Sequence, residues 1–588
     1  MRSAYVHAIW GLLVHSSLAA LAPSATIPDC DVTYRGINRN GVESFLNIAY
    51  GMSTSGAHRF KPPRLHVPVP GSTIYADSYG PACPQALGGW VAPLSLTNVT
   101  RISEDCLNLN IVRPKGTKPN DLLPVMIYIH GGSFWAGQNS EITTTPDGLI
   151  LESVKNGLPI MHVGMNYRLG FFGFAQSDAL KAERSNNAGL RDQRLAMEWV
   201  RDNIAHFGGD PSKITVFGQS SGVSPLLTED FYDDVGLAVG MHILSFGGKQ
   251  PVPFRNAIAS SGALEPGVVS NITENAMKAV VDYVGCNETD FHSSDTLLCL
   301  RNHSMDSLLQ ASLKTYRSDI NVGDIWLPSI DGDFLPECPS ALLGQGKFAK
   351  NLNVILSWCE DDVTPFTDES ISTADDTRNF IANYVPNLSS GNLDELLSLY
   401  PGSDFATNGE LSAEFYRTTR IFRDIVMTCP AIYFGEGVAE QNANTVYFYH
   451  WNQTILGPVL EHLGHPPGMG PIHTAEFAYV FGNLSHYKMD GVPFNPSTSD
   501  LELTVRASRS FSTFVNVGKP GLPNRNTFRG FNPAFERPGQ TKVFVVGGPN
   551  EGLSYIDGLQ ANRALASQKI RERCSFLNSE EVLKELGT

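Results

Sequence analysis

Apolar residues along the 588-residue chain fall into two alternating patterns. Short continuous apolar runs bounded by turn residues read as buried strands, and stretches with apolar residues three and four apart read as helices. Pro124-Val125-Met126-Ile127-Tyr128-Ile129 is one such strand, the run from Pro159 to Asn166 a second, and Lys213-Ile214-Thr215-Val216-Phe217 a third. Leu107 to Ile111 alternates as a half-buried strand does. Between the second and third strands, residues 189–206 place Leu190, Leu195, Ala196, Trp199 and Ile204 on one helical side. Residues 31–80 read as short strands and turns, and 265–440 as predominantly helical. Continuous apolar strands alternating with helices predict an α/β fold, a mostly parallel central sheet flanked by helices, with large helical insertions. No internal repeat or low-complexity linker divides the chain. One large domain over 23–588 is the expectation.

The first 22 residues read differently. Arg2 gives a weak positive start, Ala8 to Leu21 is mostly apolar, and Ala20-Leu21-Ala22 has the pattern of a cleavage site, so residues 1–22 read as a secretory signal peptide. No other run is long and apolar enough to span a bilayer, and the polar C-terminus lacks a lipid-anchor tail. N-x-S/T sequons at Asn98, Asn271, Asn287, Asn302, Asn387, Asn452 and Asn483 fit a secreted, extracellular glycoprotein. A net charge of −16 argues against nucleic acid or an anionic membrane surface as partner. Nine cysteines in an exported chain should mostly pair. Cys83 and Cys106 flank one polar loop, and Cys286 and Cys299 another; these are the preferred bridges. The pairing of Cys30, Cys338, Cys359, Cys429 and Cys574 stays open.

Chemistry enters at Gly218-Gln219-Ser220-Ser221-Gly222, directly after the third strand. Strand, G-x-S-x-G, helix is a turn that lifts a serine hydroxyl above a sheet, and the glycines are needed because the turn is too sharp for side chains. Alone the pentapeptide is a weak signal, equally a surface turn. A serine nucleophile needs a histidine base oriented by a carboxylate. It also needs backbone N–H donors for the oxyanion, one from the residue after the serine and others from a glycine-rich loop. His130-Gly131-Gly132-Ser133 follows the first apolar strand, where such a loop belongs; a plain tight turn is the other reading.

These segments, with Glu104 to Asn110, His130 to Phe134, Asn166 to Gly170 and the stretch from Asn187 to Gly222, resemble the type-B carboxylesterases. That family of α/β-hydrolases includes cholinesterases and secreted fungal esterases and lipases. The resemblance implies a secreted serine carboxylic-ester hydrolase acting through an acyl-enzyme on small-molecule esters, with no cofactor and no metal. It implies the acid at Asp362, in Cys359-Glu360-Asp361-Asp362-Val363, with Val363 where the family has glycine. Glu360 and Asp361 are read as solvated loop charges. It implies the histidine at His473, in Gly470-Pro471-Ile472-His473, with His462 and His465 as nearby rivals. Gly132, Ser133 and Ser221 carry over as oxyanion donors, and Ser261 as the serine beside the acid. Arg168 and Asp192 resemble a buried salt bridge. Specificity for acid and alcohol, and the oligomeric state, are not legible.

Two other functions compete: a triacylglycerol lipase of the same family, and a non-catalytic, adhesion-type member of the fold. The family's lipases carry a long lid between the first disulfide's cysteines, and the short loop 83–106 favours an esterase. Choline esters fit poorly, because Gln219 replaces the acidic residue that precedes the cholinesterase nucleophile. One stretch departs from the family altogether. Residues 223–235 stand between Gly222 and the apolar Gly236 to Leu244, which the family places straight after the nucleophile turn. They carry four carboxylates and Pro225, unsuited to a buried helix start. They read either as an unspliced in-frame intron or as a genuine loop insertion.

Overall fold

Burial on both faces explains the continuous apolar runs. The computed structural model describes residues 22–88, 92–220, 236–316, 325–440, 443–537 and 539–588. Its strands are β1 (Ser24–Ile27), β2 (Val32–Arg35), β3 (Ile37–Arg39), β4 (Val42–Ala49), β5 (Thr73–Tyr75), β6 (Asn108–Pro114) and β7 (Leu123–Ile129). They continue with β8 (Met161–Met165), β9 (Gly209–Gln219), β10 (Asn256–Ser260), β11 (Asn353–Cys359), β12 (Thr445–Trp451), β13 (Lys542–Val546) and β14 (Gly552–Tyr555). Strands β1, β2 and β5 form a small sheet. The others form one eleven-stranded sheet, in the order β14-β13-β12-β11-β10-β9-β7-β8-β6-β4-β3. From β8 through β13 the neighbours in that order are parallel, and antiparallel strands close both edges.

Every residue of β8 and of β10 is buried. Helix Ala188–Asn203 buries Leu190, Ala196, Met197, Trp199 and Val200, and leaves Arg201 and Asp202 exposed. That helix also carries Asp192, which accepts from Arg168 Nε and Nη2 at 2.7 Å each, with both side chains buried. One bidentate contact of two hydrogen bonds lets an ion pair survive at that depth.

The parallel strands all end on the same side of the sheet. Loops leaving the carboxyl ends of such strands are where an open α/β sheet builds its site. Here β7 leads into 130–134, β9 into Ser220, and β11 into 360–362; His473 follows β12 by a longer loop.

Disulfides join Cys83–Cys106, Cys286–Cys299 and Cys429–Cys574. Cys30, Cys338 and Cys359 are free thiols. Asn98, Asn271, Asn287, Asn302 and Asn387 are exposed. Asn483 is only 8% exposed, and its amide donates to the Thr145 carbonyl, so a glycan there would require that bond to break. Among the described residues no helix is long and apolar enough to cross a membrane. Residues 1–21 of the expected leader lie outside the described residues.

Candidate active site

Ser220 sits at the end of β9 with φ of 90°, in the left-handed region that a side chain rarely adopts. Its N–H donates to Ser260 O at 2.7 Å, which ties the turn to the end of β10. Strain of this kind persists only where the surroundings enforce it. The hydroxyl meets His473: Oγ lies 2.5 Å from Nε2. On the ring's other side, Nδ1 lies 2.6 Å from Asp362 Oδ1. All three residues are 0% exposed.

Asp362 is held on both oxygens. Oδ2 accepts from Cys359 N at 2.7 Å and from Ser261 Oγ at 3.0 Å. The acid loop and the histidine loop are bonded to each other, because Asp361 N donates to Pro471 O and His473 N to Asp362 O, each at 3.2 Å. Gly470 is needed here. Its φ is +72°, and a Cβ would lie 1.9 Å from Asp361 Oδ2. Val363, standing where a glycine was the family pattern, has φ of −109°, which any residue adopts. Phe366 meets the His473 ring edge-on at 5.7 Å.

The neighbouring carboxylates require a correction. Glu360 was read as a solvated loop charge. It is instead paired with Arg420 at 2.7 Å and His450 at 2.6 Å, and accepts from Gln568 Nε2 at 2.8 Å. Burial works to raise its pKa, and the Arg420 and His450 charges more than reverse that, holding it below the ordinary carboxylate range. Asp361 is likewise no freely solvated charge. Burial first, and then the Glu360 charge, push it up to about 7. The rival histidines lie elsewhere: His465 pairs with Glu369 at 2.6 Å, and His462 is exposed.

A third carboxylate was missed. Glu476, fully buried one turn after His473, lies 3.4 Å from Cys359 Sγ and 3.5 Å from Tyr449 OH. Burial, and then the Asp362 charge, push it up to about 7. A lone carboxylate ahead of the apolar Phe477-Ala478-Tyr479-Val480 was the available signal.

The loop after β7, the strand that pairs with β9, turns sharply. Gly132 has φ of +129°, and a Cβ there would lie 1.8 Å from Ala136 O. Ser133 and Phe134 also have positive φ, at 46° and 54°. Gly132 O accepts from Ala136 N at 2.8 Å and from Trp135 N. No acceptor among the described residues takes the N–H of Gly132 or Ser133, which leaves two donors available. His130 beneath them stacks on Tyr167 at 4.7 Å, and burial holds it down at about 4, a neutral ring. Ser221, the third expected donor, and residues 223–235 lie outside the described residues.

A buried hydroxyl, an imidazole and a carboxylate in one hydrogen-bonded line can generate an oxygen nucleophile. Comparisons with known proteins identify the family. The model of the carboxylesterase family matches residues 32–540. A secreted lipase of Arthroderma benhamiae is 49% identical over 582 residues, 98% of each chain. An inactive carboxylesterase-like protein of Byssochlamys spectabilis is 35% identical over 519 residues, 85% of this chain and 84% of the other. In structure, the chain is similar to EstA of Aspergillus niger, with a TM-score of 0.77 and 24% identity over 96% of this chain and 99% of that one.

Proposed function

The chain belongs to the carboxylesterase family, and from that premise we propose that it is a secreted serine hydrolase cleaving carboxylic esters through an acyl-enzyme. The supporting observation is the line Ser220 Oγ, His473, Asp362. Ser220 Oγ attacks the ester carbonyl while His473 Nε2 takes its proton. Asp362 fixes Nδ1–H and stabilises the imidazolium. The N–H groups of Gly132, Ser133 and Ser221 hold the oxyanion. Nε2 returns the proton to the departing alcohol oxygen, leaving an acyl-Ser220. Water, deprotonated by the same nitrogen, then releases the acid. The mechanism uses no metal or cofactor.

The test is hydrolysis of p-nitrophenyl butyrate with and without a serine-directed organophosphate. One label per chain on Ser220, with matching loss of turnover, is expected. A chain that hydrolyses no ester and takes no label on Ser220 is a non-catalytic member, as the inactive relative's name illustrates. The secreted lipase relative supports a second reading, a triacylglycerol lipase using the same residues. Comparing dissolved and emulsified triacylglycerol separates the two.

Residues 223–235 bear on how active the chain is. Leu237 N, in helix Gly236–Leu244, donates to Ser220 O at 3.3 Å. With the thirteen residues 223–235 taken out, Leu237 becomes the fourth residue after Ser220, the spacing of an α-helical bond. The helix is thus bonded to the nucleophile as though nothing intervened. Deleting 223–235 is expected to raise kcat about 10- to 100-fold, the scale on which a misplaced group costs rate. Activity that is unchanged or lost on deletion, or codons for 223–235 that persist in the message yielding active protein, marks a genuine loop.

A further inference from the structure

Glu141 is bonded in a way that the mechanism above does not use. Its Oε2 accepts from Ser95 Oγ at 2.7 Å and from Thr97 N at 3.2 Å. Its Oε1 accepts from Leu96 N at 3.0 Å and from Thr143 N at 3.1 Å. Three of these donors lie on 95–97, inside the loop closed by Cys83–Cys106. The fourth belongs to the wall segment that follows the Gly132 turn. Thr97 adds two more bonds across the same seam. Its carbonyl accepts from Gln138 Nε2 at 3.2 Å, and its Oγ1 from Ile142 N at 2.9 Å. Gln85 and Gly137 exchange a further pair at 2.8 and 2.9 Å.

Between this strap and the wall lies a cavity of about 40 Å³, lined by Leu94, Thr97, Gly131, Glu141, Gln219 and Phe477 among others. That is space for about three waters. Gln219 is the peptide neighbour of Ser220, and its Nε2 lies 3.0 Å from His473 Nε2. In the proposed mechanism this histidine nitrogen passes its proton to the departing oxygen. Gln219 therefore borders both that nitrogen and the cavity, which Ser220 and His473 do not themselves line.

We infer that Glu141 is a specificity-determining residue: it straps 95–97 onto the wall and so restricts the alcohol part of the ester to a small group. The inference rests on the hydrolase reading above. A carboxylate accepting three bonds from one short segment holds it more firmly than neutral partners would, because charge-assisted bonds are about twice as strong. A methoxy or ethoxy group matches the space that remains, and the diacylglycerol released from a triacylglycerol does not.

The experiment compares kcat/KM for methyl, butyl and benzyl butyrate and for dissolved tributyrin. The acyl group is constant and only the alcohol changes. The full chain is assayed beside Glu141→Ala and Thr97→Val; the second keeps side-chain shape and removes only the Oγ1 acceptor and donor. The unaltered protein should favour methyl over benzyl butyrate by about tenfold or more, as a tight pocket does. Glu141→Ala should narrow that ratio about fivefold, and Thr97→Val should shift it less in the same direction. Preference among methyl acetate, butyrate and octanoate should not move. Unchanged alcohol ratios in both variants, or a shift in acyl preference in their place, overturns the inference. If Glu141→Ala does not fold, Thr97→Val decides alone. A chain that hydrolyses none of these esters and takes no organophosphate on Ser220 fails at the parent reading, and the inference falls with it; an active enzyme with unmoved ratios refutes the inference alone.

Discussion

Ser220→Ala is expected to lower kcat by roughly four to six orders of magnitude while the protein stays folded. The hydroxyl oxygen is the atom that forms the acyl bond, so neither His473 nor the oxyanion donors can replace it. The backbone should tolerate the change. Alanine meets the same φ of 90° that serine already bears, and the N–H to Ser260 O bond is untouched. Residual turnover over water would come from oxyanion stabilisation and binding alone. The measurement is a pre-steady-state burst with p-nitrophenyl butyrate, beside a thermal melt. The unaltered chain should show a burst and the variant none, at similar Tm. Turnover near that of the unaltered protein, with contaminating esterase excluded, would sink the assignment of Ser220.

The parts most legible in the sequence are those where a local pattern has one physical cause. Strands β7 and β8 are covered on both faces, so they read as continuous apolar runs. Strand β9 was legible only in part: 213–217 is rich in β-branched residues, but Gly209-Asp210-Pro211-Ser212 carries no strand signal, and the strand begins there because β7 pairs with it. Ser220 was singled out by its own strand and G-x-S-x-G turn, whereas Asp362 and His473 were proposed through the family resemblance alone, since 111 residues separate the acid from the histidine and no local spacing links them. Glu360 was misread because its environment is made by Arg420, His450 and Gln568, none of them near it in the chain. Glu476 was overlooked because a single acidic letter beside an apolar helix gives no sign of the Asp362 charge close by. Cys429–Cys574 closes a separation of 145 residues, and nothing local announces such a pairing.

Asp362→Asn is expected to lower kcat by roughly four orders of magnitude, and Asp361→Asn by less than about tenfold. The two aspartates are adjacent, but their surroundings differ. Asp362 presents Oδ1 to His473 Nδ1 and engages Cys359 N and Ser261 through Oδ2. An asparagine keeps the shape, loses the charge that stabilises an imidazolium, and can turn an N–H₂ toward Nδ1, which selects the wrong tautomer. Asp361 packs against Gly470, away from that bond, and is pushed up to about 7 by burial and then by Glu360. Near neutral pH it is about half protonated, so asparagine imitates a state it already occupies. The two substitutions also differ in stability. A carboxylate raised in the folded state binds a proton there that the unfolded chain has released, so stability falls as pH rises from the ordinary aspartate range to about 7. Asp361→Asn removes that loss. It should raise Tm relative to the unaltered protein at pH 8, and by less at pH 5. Kinetics and melts at both pH values decide the assignment: a loss of turnover in Asp361→Asn as deep as in Asp362→Asn would move the acid to Asp361.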